Sequence, residues 1–219
     1  MLHSAPQGSE DPPVSLGIRS LDALLGGGLP AGTLASVRGK VGGGALRLTA
    51  RALAEATGAG RWAAVVDVPG TLYPPGLYAA GVVLEGLLFV VPPAAGPCGL
   101  AVRAAEELLR HGAFPLVVLR GLRLDEGRGR RLLLAAEAGR SVGVLLGAGG
   151  PVVRAPCATR LEVAPTGPGG GLRVRVVRQR GGASGRMVMV NGNEVYGPHG
   201  VCLAEGLPPS APPDRVAVA

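Results

Sequence analysis

Short apolar runs alternate with amphipathic stretches along the first 150 residues. The continuous apolar runs predict buried strands at 33–38, 62–68, 87–91, 116–119 and 141–146. Apolar residues at helical spacing predict helices at 20–25, 45–57, 75–80, 100–109 and 128–138. Strands that are apolar throughout are typical of parallel sheets covered by helices on both faces. The alternation therefore predicts an α/β fold with a mostly parallel sheet flanked by helices.

After residue 150 the pattern changes. Strands are predicted at 159–164, 172–180 and 187–191, joined by glycine-rich turns at 167–171 and 181–182. Such turns favour antiparallel pairing. Arg173 and Arg175 alternate with apolar residues in the middle strand, so they are expected on one face of the sheet. The mostly parallel sheet is thus expected to carry an antiparallel extension at its C-terminal end.

The pattern also divides the chain into three parts. Residues 1–13 are polar and proline-rich and predict a disordered arm. Residues 14–205 predict one folded domain, which is an ordinary size for this fold class. Residues 206–219 contain four prolines and predict a flexible tail.

Finer expectations concern single side chains. Ser20 is expected to cap the first helix, because a serine hydroxyl accepts a hydrogen bond from a free backbone N–H. Glu106 and Glu107 are expected on the solvent side of their helix, and Asp125 and Glu126 in surface ion pairs. The side chains expected to pack inside the protein are Trp62, Tyr73, Tyr78, Leu132, Leu133 and Leu134.

Composition adds a strong basic balance. The chain has a net charge of +7, and Lys40 is its one lysine among 22 basic residues. This balance fits a nucleic-acid partner or an acidic protein partner. An arginine bias from base composition explains it equally well, so both interpretations stay open.

Several classes of protein are excluded by the sequence pattern. The three cysteines and three histidines are scattered and contain no C-x-x-C pair, which argues against a disulfide framework, a zinc site and a nucleophilic centre. The first residues do not resemble a secretory signal, and the sequence has no apolar run of about 18 residues. A cytoplasmic protein without a membrane span is therefore expected.

A glycine-rich loop follows the first predicted strand. Gly39 and Gly44 have the spacing of the phosphate-binding motif G-x-x-x-x-G-K-[ST], but the next two positions hold Ala45 and Leu46. The motif's lysine reaches the β- and γ-phosphates and its hydroxyl binds Mg²⁺, and neither substitute can do so. The backbone amides of 42–44 could still hold an anion. A tight turn without a ligand is the favoured interpretation.

The order of these segments resembles the core of RecA-like recombinases over about residues 14–200. Residues 15–32 are similar to that family's entry into its first core strand, and the glycine loop follows at the family's spacing. Asp67, Leu72 and Pro74 resemble the family's D-x-E…L-D-P segment. Residues 101–109 and 114–119 look like the helix and strand that lead to the Walker B motif.

The departures from that family concern its catalytic positions. The position of the catalytic glutamate falls on Pro69 and that of the Walker B aspartate on Arg120, in addition to Ala45 and Leu46. An arginine would repel a metal ion where the aspartate should bind it. The resemblance therefore implies a RecA-like pseudo-ATPase with no catalytic residues, no cofactor and no metal.

A small RecA-like chain with these losses resembles the ImuA family, accessory proteins of SOS-induced mutagenic translesion synthesis that are grouped with the cell-division inhibitor SulA. The resemblance implies a non-catalytic adaptor whose partners are RecA and an ImuB-like homologue of Y-family polymerases. Weak DNA binding stays open. The alternatives are a SulA-type inhibitor that binds FtsZ, a DNA-binding module, and an ATPase in which Lys40 supplies the missing positive charge.

Two groups of arginines are candidates for binding a partner or DNA. An ordinary solvated helix face would explain the first group equally well, and no aromatic stacking platform accompanies it. For the second group a solvated sheet edge, protected from aggregation by arginine, is the commoner explanation. The candidates are Arg120, Arg123, Arg128, Arg130 and Arg131 in one group and Arg173 and Arg175 in the other.

Overall fold

The computed structural model describes residues 11–93, 98–148, 155–167, 169–182 and 184–196. Within these residues eight strands form a single sheet. The strands are β1 (Thr33–Gly39), β2 (Ala63–Asp67), β3 (Leu87–Val90), β4 (Leu116–Arg120), β5 (Val142–Ala148), β6 (Thr159–Pro165), β7 (Leu172–Gln179) and β8 (Met187–Val190).

Six α-helices lie within the same described residues, together with a 3-10 turn at Leu84–Gly86. The helices are α1 (Arg19–Leu24), α2 (Ala45–Gly58), α3 (Pro74–Ala79), α4 (Cys98–His111), α5 (Glu126–Gly139) and α6 (Gly192–Tyr196). The sequence pattern predicts every strand and the first five helices at nearly these bounds. It does not predict α6, which has five residues and is too short for a helical period to show.

The strand order in the sheet is β3-β2-β4-β5-β1-β6-β7-β8. The first six strands of that order are parallel, and β7 and β8 run antiparallel to their neighbours. The predicted fold class is therefore confirmed: a mostly parallel sheet flanked by helices, with antiparallel strands at the C-terminal end. Adjacent parallel strands end at the same edge, so the ends of β1, β2 and β4 lie along one edge of the sheet.

Helices cover the two faces of the sheet and form two apolar cores. Leu48 and Leu53 of α2 belong to the core on one face, with residues of α1, α3 and α6. Leu109 of α4 and Leu132 of α5 belong to the core on the other face. Both cores consist mainly of Leu, Val and Ala, as a composition with 3% aromatic residues requires.

Four of the finer predictions are wrong. Ile18, and not Ser20, precedes the first helical residue of α1. Glu106 is buried at 4% exposure, because it lies where α4 faces α5 and pairs with Arg131 at 2.7 Å. Leu134 points to solvent on the outer side of α5, although Leu132 is fully buried.

The fourth error concerns the aromatic side chains. Trp62, Tyr73 and Tyr78 are all more than half exposed. They lie just before β2, just before α3 and within α3, at the margin of the sheet near its edge strand β3. The core nearby is formed by aliphatic side chains such as Leu77 and Val82, and the three rings lie outside it.

Residues 1–10 and 197–219 lie outside the described residues, and with them most of the predicted N-terminal arm and the whole predicted tail. Of the arm, Asp11 is described, and its carboxylate pairs with the Arg140 guanidinium at 2.8 Å. Among the helices in the described part of the chain, none is both long and apolar enough to cross a membrane.

Candidate functional site

The glycine loop connects β1 to α2 at the edge of the sheet where the parallel strands end. The N–H of Gly43 donates a hydrogen bond to the carbonyl oxygen of Lys40 at 2.7 Å, which closes a tight turn. One of the loop amides is thereby used within the loop and does not face a ligand. Val41 at the tip is exposed, whereas Ala45 at the start of α2 is buried. The hydrogen bond therefore closes a tight turn between Lys40 and Gly43.

Close packing explains why glycine occupies both ends of this loop. Gly44 has a φ of 93°, which an L-residue with a side chain rarely adopts. A Cβ at Gly44 would also overlap the side chain of Leu172, which is fully buried on β7. A Cβ at Gly39 would lie 2.8 Å from the carbonyl oxygen of Val163 on β6. The two glycines are required by the fold whether or not an anion binds.

Asp67 and Arg120 meet at the ends of β2 and β4. The register of these parallel strands places the two residues side by side. Arg120 Nη1 lies 2.6 Å from Asp67 Oδ1, and Asp67 Oδ2 accepts a hydrogen bond from the N–H of Leu72 at 2.7 Å. Asp67 is wholly buried, so the guanidinium neutralises a carboxylate that water cannot reach.

Two further contacts hold this corner of the sheet. Arg120 Nη1 also donates to the hydroxyl of Thr71 at 2.9 Å. Pro69 is the residue that the sequence resemblance aligns with the catalytic glutamate, and it packs beside Gly121. A Cβ on Gly121 would lie only 2.6 Å from the ring of Pro69. Pro69 offers no acid, and the Asp67 carboxylate at this corner is already paired with Arg120. In the described residues no cluster of histidine, cysteine, aspartate or glutamate could hold a metal ion.

Three arginines of the first candidate group are held in ion pairs. Arg120 is paired with Asp67, Arg128 with Asp125 at 3.5 Å, and Arg131 with Glu106. The surface ion pair expected for Asp125 is therefore present. Arg123 and Arg130 are exposed, and within the described residues neither is assigned a hydrogen bond or an ion pair.

The second group behaves as the sequence predicts. Arg173 and Arg175 both point to solvent from the same face of β7, while Leu172, Val174 and Val176 are buried on the other face. Arg123 lies in the loop that follows β4, and β7 lies four strands further along the sheet. The structure thus separates the two groups of candidates rather than bringing them together.

Sequence reasoning missed the partner of Arg120. The sequence places Asp67 in the segment that resembles D-x-E…L-D-P, but a separation of 53 residues gives no local signal that it pairs with Arg120. The available signal was topological: both residues end apolar strands, and such ends meet at one edge of a parallel sheet. Glu106 and Arg131 were missed for the same reason.

Comparison with known proteins agrees with this architecture. No protein-family model matches the chain. RecA of Synechococcus elongatus is 35% identical over 106 residues, which cover 48% of this chain and 29% of that protein. RecA of Prochlorococcus marinus strain SARG is 40% identical over 108 residues, covering 48% and 27%. The chain thus matches less than a third of the length of these relatives.

The solved structure of the RadB recombinase resembles this chain over most of the length of both. The TM-score is 0.69 at 20% identity, covering 84% of this chain and 97% of that one. The likeness establishes that the chain has the RecA-like α/β fold. Within that fold this chain has a glycine loop after its first strand and an Asp67–Arg120 ion pair at the edge where the parallel strands end.

Proposed function

We propose that this chain is a non-catalytic RecA-like adaptor of SOS-induced translesion DNA synthesis, of the ImuA type. In this role it binds RecA and an ImuB-like homologue of Y-family polymerases. The observation that carries the proposal is the ion pair between Arg120 and the buried Asp67. It supports a RecA-like scaffold that serves binding instead of ATP hydrolysis.

The chemical argument begins with the metal. Mg²⁺ in nucleotide sites is held by a hydroxyl and by carboxylates. Leu46 lacks the hydroxyl, and at the carboxylate position Arg120 is a cation that already neutralises Asp67. A guanidinium at this place repels Mg²⁺ and competes for the remaining carboxylate. Ala45 supplies no charge for the phosphates, so neither Ala45 nor Leu46 can replace the lysine and hydroxyl of the phosphate-binding motif.

The choice of partners rests on the resemblance to the ImuA family and on the RecA-like fold. Purified full chain should show no ATP turnover above buffer, alone or with RecA. It should bind immobilised RecA and an ImuB-like protein in a pull-down. Recovery of FtsZ in place of both would favour the SulA-type alternative, and ATP turnover lost in Lys40→Ala would establish the enzyme alternative.

A DNA-binding module is the second candidate, because Arg123 and Arg130 are exposed without an assigned partner in the described part of the chain. Contacts with phosphates release counterions, so affinity for DNA should fall steeply with salt. A fluorescently labelled oligonucleotide titrated between about 50 and 200 mM salt tests this. Replacing both arginines with glutamine should flatten the salt dependence if they contact phosphates.

A further inference from the structure

An open sheet face continues beyond the helices on the side of α4 and α5. These helices cover β1, β2, β4 and β5, but no described helix lies over the same face of β6, β7 and β8. We name this surface the open face and define it by the exposed side chains Glu162, Arg173, Arg175, Val177, Met187 and Met189.

The register places charged and apolar side chains of the open face next to one another. Glu162, Arg175 and Met187 lie side by side across β6, β7 and β8. Arg173 and Met189 are opposite each other in the next row. Strands are about 4.8 Å apart, so each row spans roughly 10 Å, which is wide enough for an extended segment of another chain.

The two methionines are the unusual feature of this surface. Met187 is 55% exposed and Met189 is 59% exposed, and the chain contains only three methionines. Arginines on outer strands can be explained as protection against aggregation. Exposed apolar side chains on an edge strand favour aggregation, so protection against aggregation does not explain why Met187 and Met189 are exposed on β8. Methionine is flexible and polarisable and adapts well to apolar partners.

The charges on the open face are unbalanced. Arg173 and Arg175 face one carboxylate, that of Glu162, and within the described residues no ion pair joins them. Arginine binds carboxylates with two parallel hydrogen bonds. A second copy of this chain would bring arginine against arginine. A nucleic acid would leave the methionines without a partner and would find no aromatic ring on this face for its bases.

We propose that the open face binds an acidic protein segment, whose carboxylates pair with Arg173 and Arg175 and whose apolar side chains cover Met187 and Met189. The inference adds to the proposed adaptor role a surface and a class of partner. It rests on that role in one respect, which is that an adaptor has a protein partner. The surface is separate from the ion-paired corner at Asp67, so binding there needs no nucleotide.

The test uses the full chain and labelled peptides of about 12 residues in fluorescence anisotropy. One peptide alternates glutamate with leucine, a second alternates glutamate with serine, and a labelled oligothymidylate of similar charge is the third probe. The variants are Arg173→Glu with Arg175→Glu, and Met187→Ser with Met189→Ser. The matched control is Arg19→Glu with Arg103→Glu, which makes the same charge change at exposed positions on α1 and α4.

The glutamate–leucine peptide should bind the unaltered chain more tightly than either other probe. The arginine variant should weaken it about tenfold or more, because two charge-assisted contacts are lost. In the methionine variant the affinity for the glutamate–leucine peptide should fall to that for the glutamate–serine peptide. The control variant should bind the glutamate–leucine peptide as tightly as the unaltered chain does. Preference for the oligonucleotide, no peptide binding, or equal loss in the control would each overturn the proposal. The peptide result does not depend on whether RecA is captured, so the two proposals fail separately.

Discussion

Arg120 at the end of β4 reaches sideways to Asp67 at the end of β2, with 2.6 Å between Nη1 and Oδ1. The carboxylate is completely buried, whereas 27% of the arginine side chain is exposed. A single side chain thus has two consequences at this edge of the sheet. It neutralises the buried acid, and it occupies the position that the sequence resemblance assigns to an acid in RecA-like enzymes.

Replacing Arg120 with leucine should destabilise the fold. The change leaves Asp67 buried without its cation, and removing one partner of a buried pair costs on the order of 3 kcal/mol. Urea unfolding followed by circular dichroism gives the free energy of unfolding. Arg123→Leu is the matched control, since Arg123 is exposed on the following loop and should change the free energy by less than about 0.5 kcal/mol.

The double variant Asp67→Asn with Arg120→Leu distinguishes a buried charge from a loss of packing. Asparagine carries no charge, so the double variant should be more stable than Arg120→Leu alone. Equal stability of Arg120→Leu and Arg123→Leu would show that the ion pair contributes nothing to the fold.

Gly44→Ala should destabilise the chain by about 2 kcal/mol or more. Alanine is strained at a φ of 93°, and its methyl group would overlap the buried Leu172. Gly58, at the other end of α2, has nothing within 4 Å of the place a Cβ would occupy. Gly58→Ala should therefore be neutral or stabilising, by up to about 1 kcal/mol. Thermal unfolding of both variants compares them, and similar midpoints would contradict the packing argument.

Most of the fold could be predicted from hydrophobic periodicity. Strands β1, β2, β4 and β5 are largely apolar because helices cover both of their faces, and this produces runs that are easy to recognise. The alternation in β7, with Leu172, Val174 and Val176 buried, shows equally clearly that its other face is exposed. Periodicity could not show that Trp62 and Tyr73 are exposed, because an aromatic residue at the margin of the sheet gives the same hydrophobic pattern as one in the core.

The candidate site could be predicted only in part. The loss of the lysine and hydroxyl at Ala45 and Leu46 is visible in the sequence, and so is the arginine at position 120. The pairing of that arginine with Asp67 is a long-range contact, and only the strand order brings the two together. The same holds for the methionines of the open face, whose exposure follows from the register of β8 and not from its composition.

Asp125→Ala should lower the free energy of unfolding by about 1 kcal/mol. Asp125 precedes α5, and its side chain accepts a hydrogen bond from the N–H of Arg128 at 2.8 Å. Alanine leaves that N–H without a partner, whereas asparagine can still accept the bond. Asp125→Asn should therefore retain most of the stability in urea unfolding. An equal loss in both variants would mean that the ion pair with Arg128, and not the cap, accounts for the effect.

Cys157 gives the protein a stability that depends on pH. Burial raises the pKa of its thiol, against the opposing influences of Arg160, Ser36 and Arg38. The folded chain therefore retains the thiol proton at a pH where the unfolded chain has lost it. The stabilisation from this difference is complete below the ordinary thiol pKa and is lost as pH rises through the folded value.

Urea unfolding near pH 7 and near pH 10 tests this in a background with Cys98→Ser and Cys202→Ser. The chain with Cys157 should lose more stability between the two pH values than the same chain with Cys157→Ala, because only the former has a thiol to titrate. Its reaction with iodoacetamide should also be slow in the folded state and fast in urea, since thiolate is the reactive form. Equal pH dependence of the two chains, with fast labelling in the folded state, would show that the thiol is accessible and titrates normally.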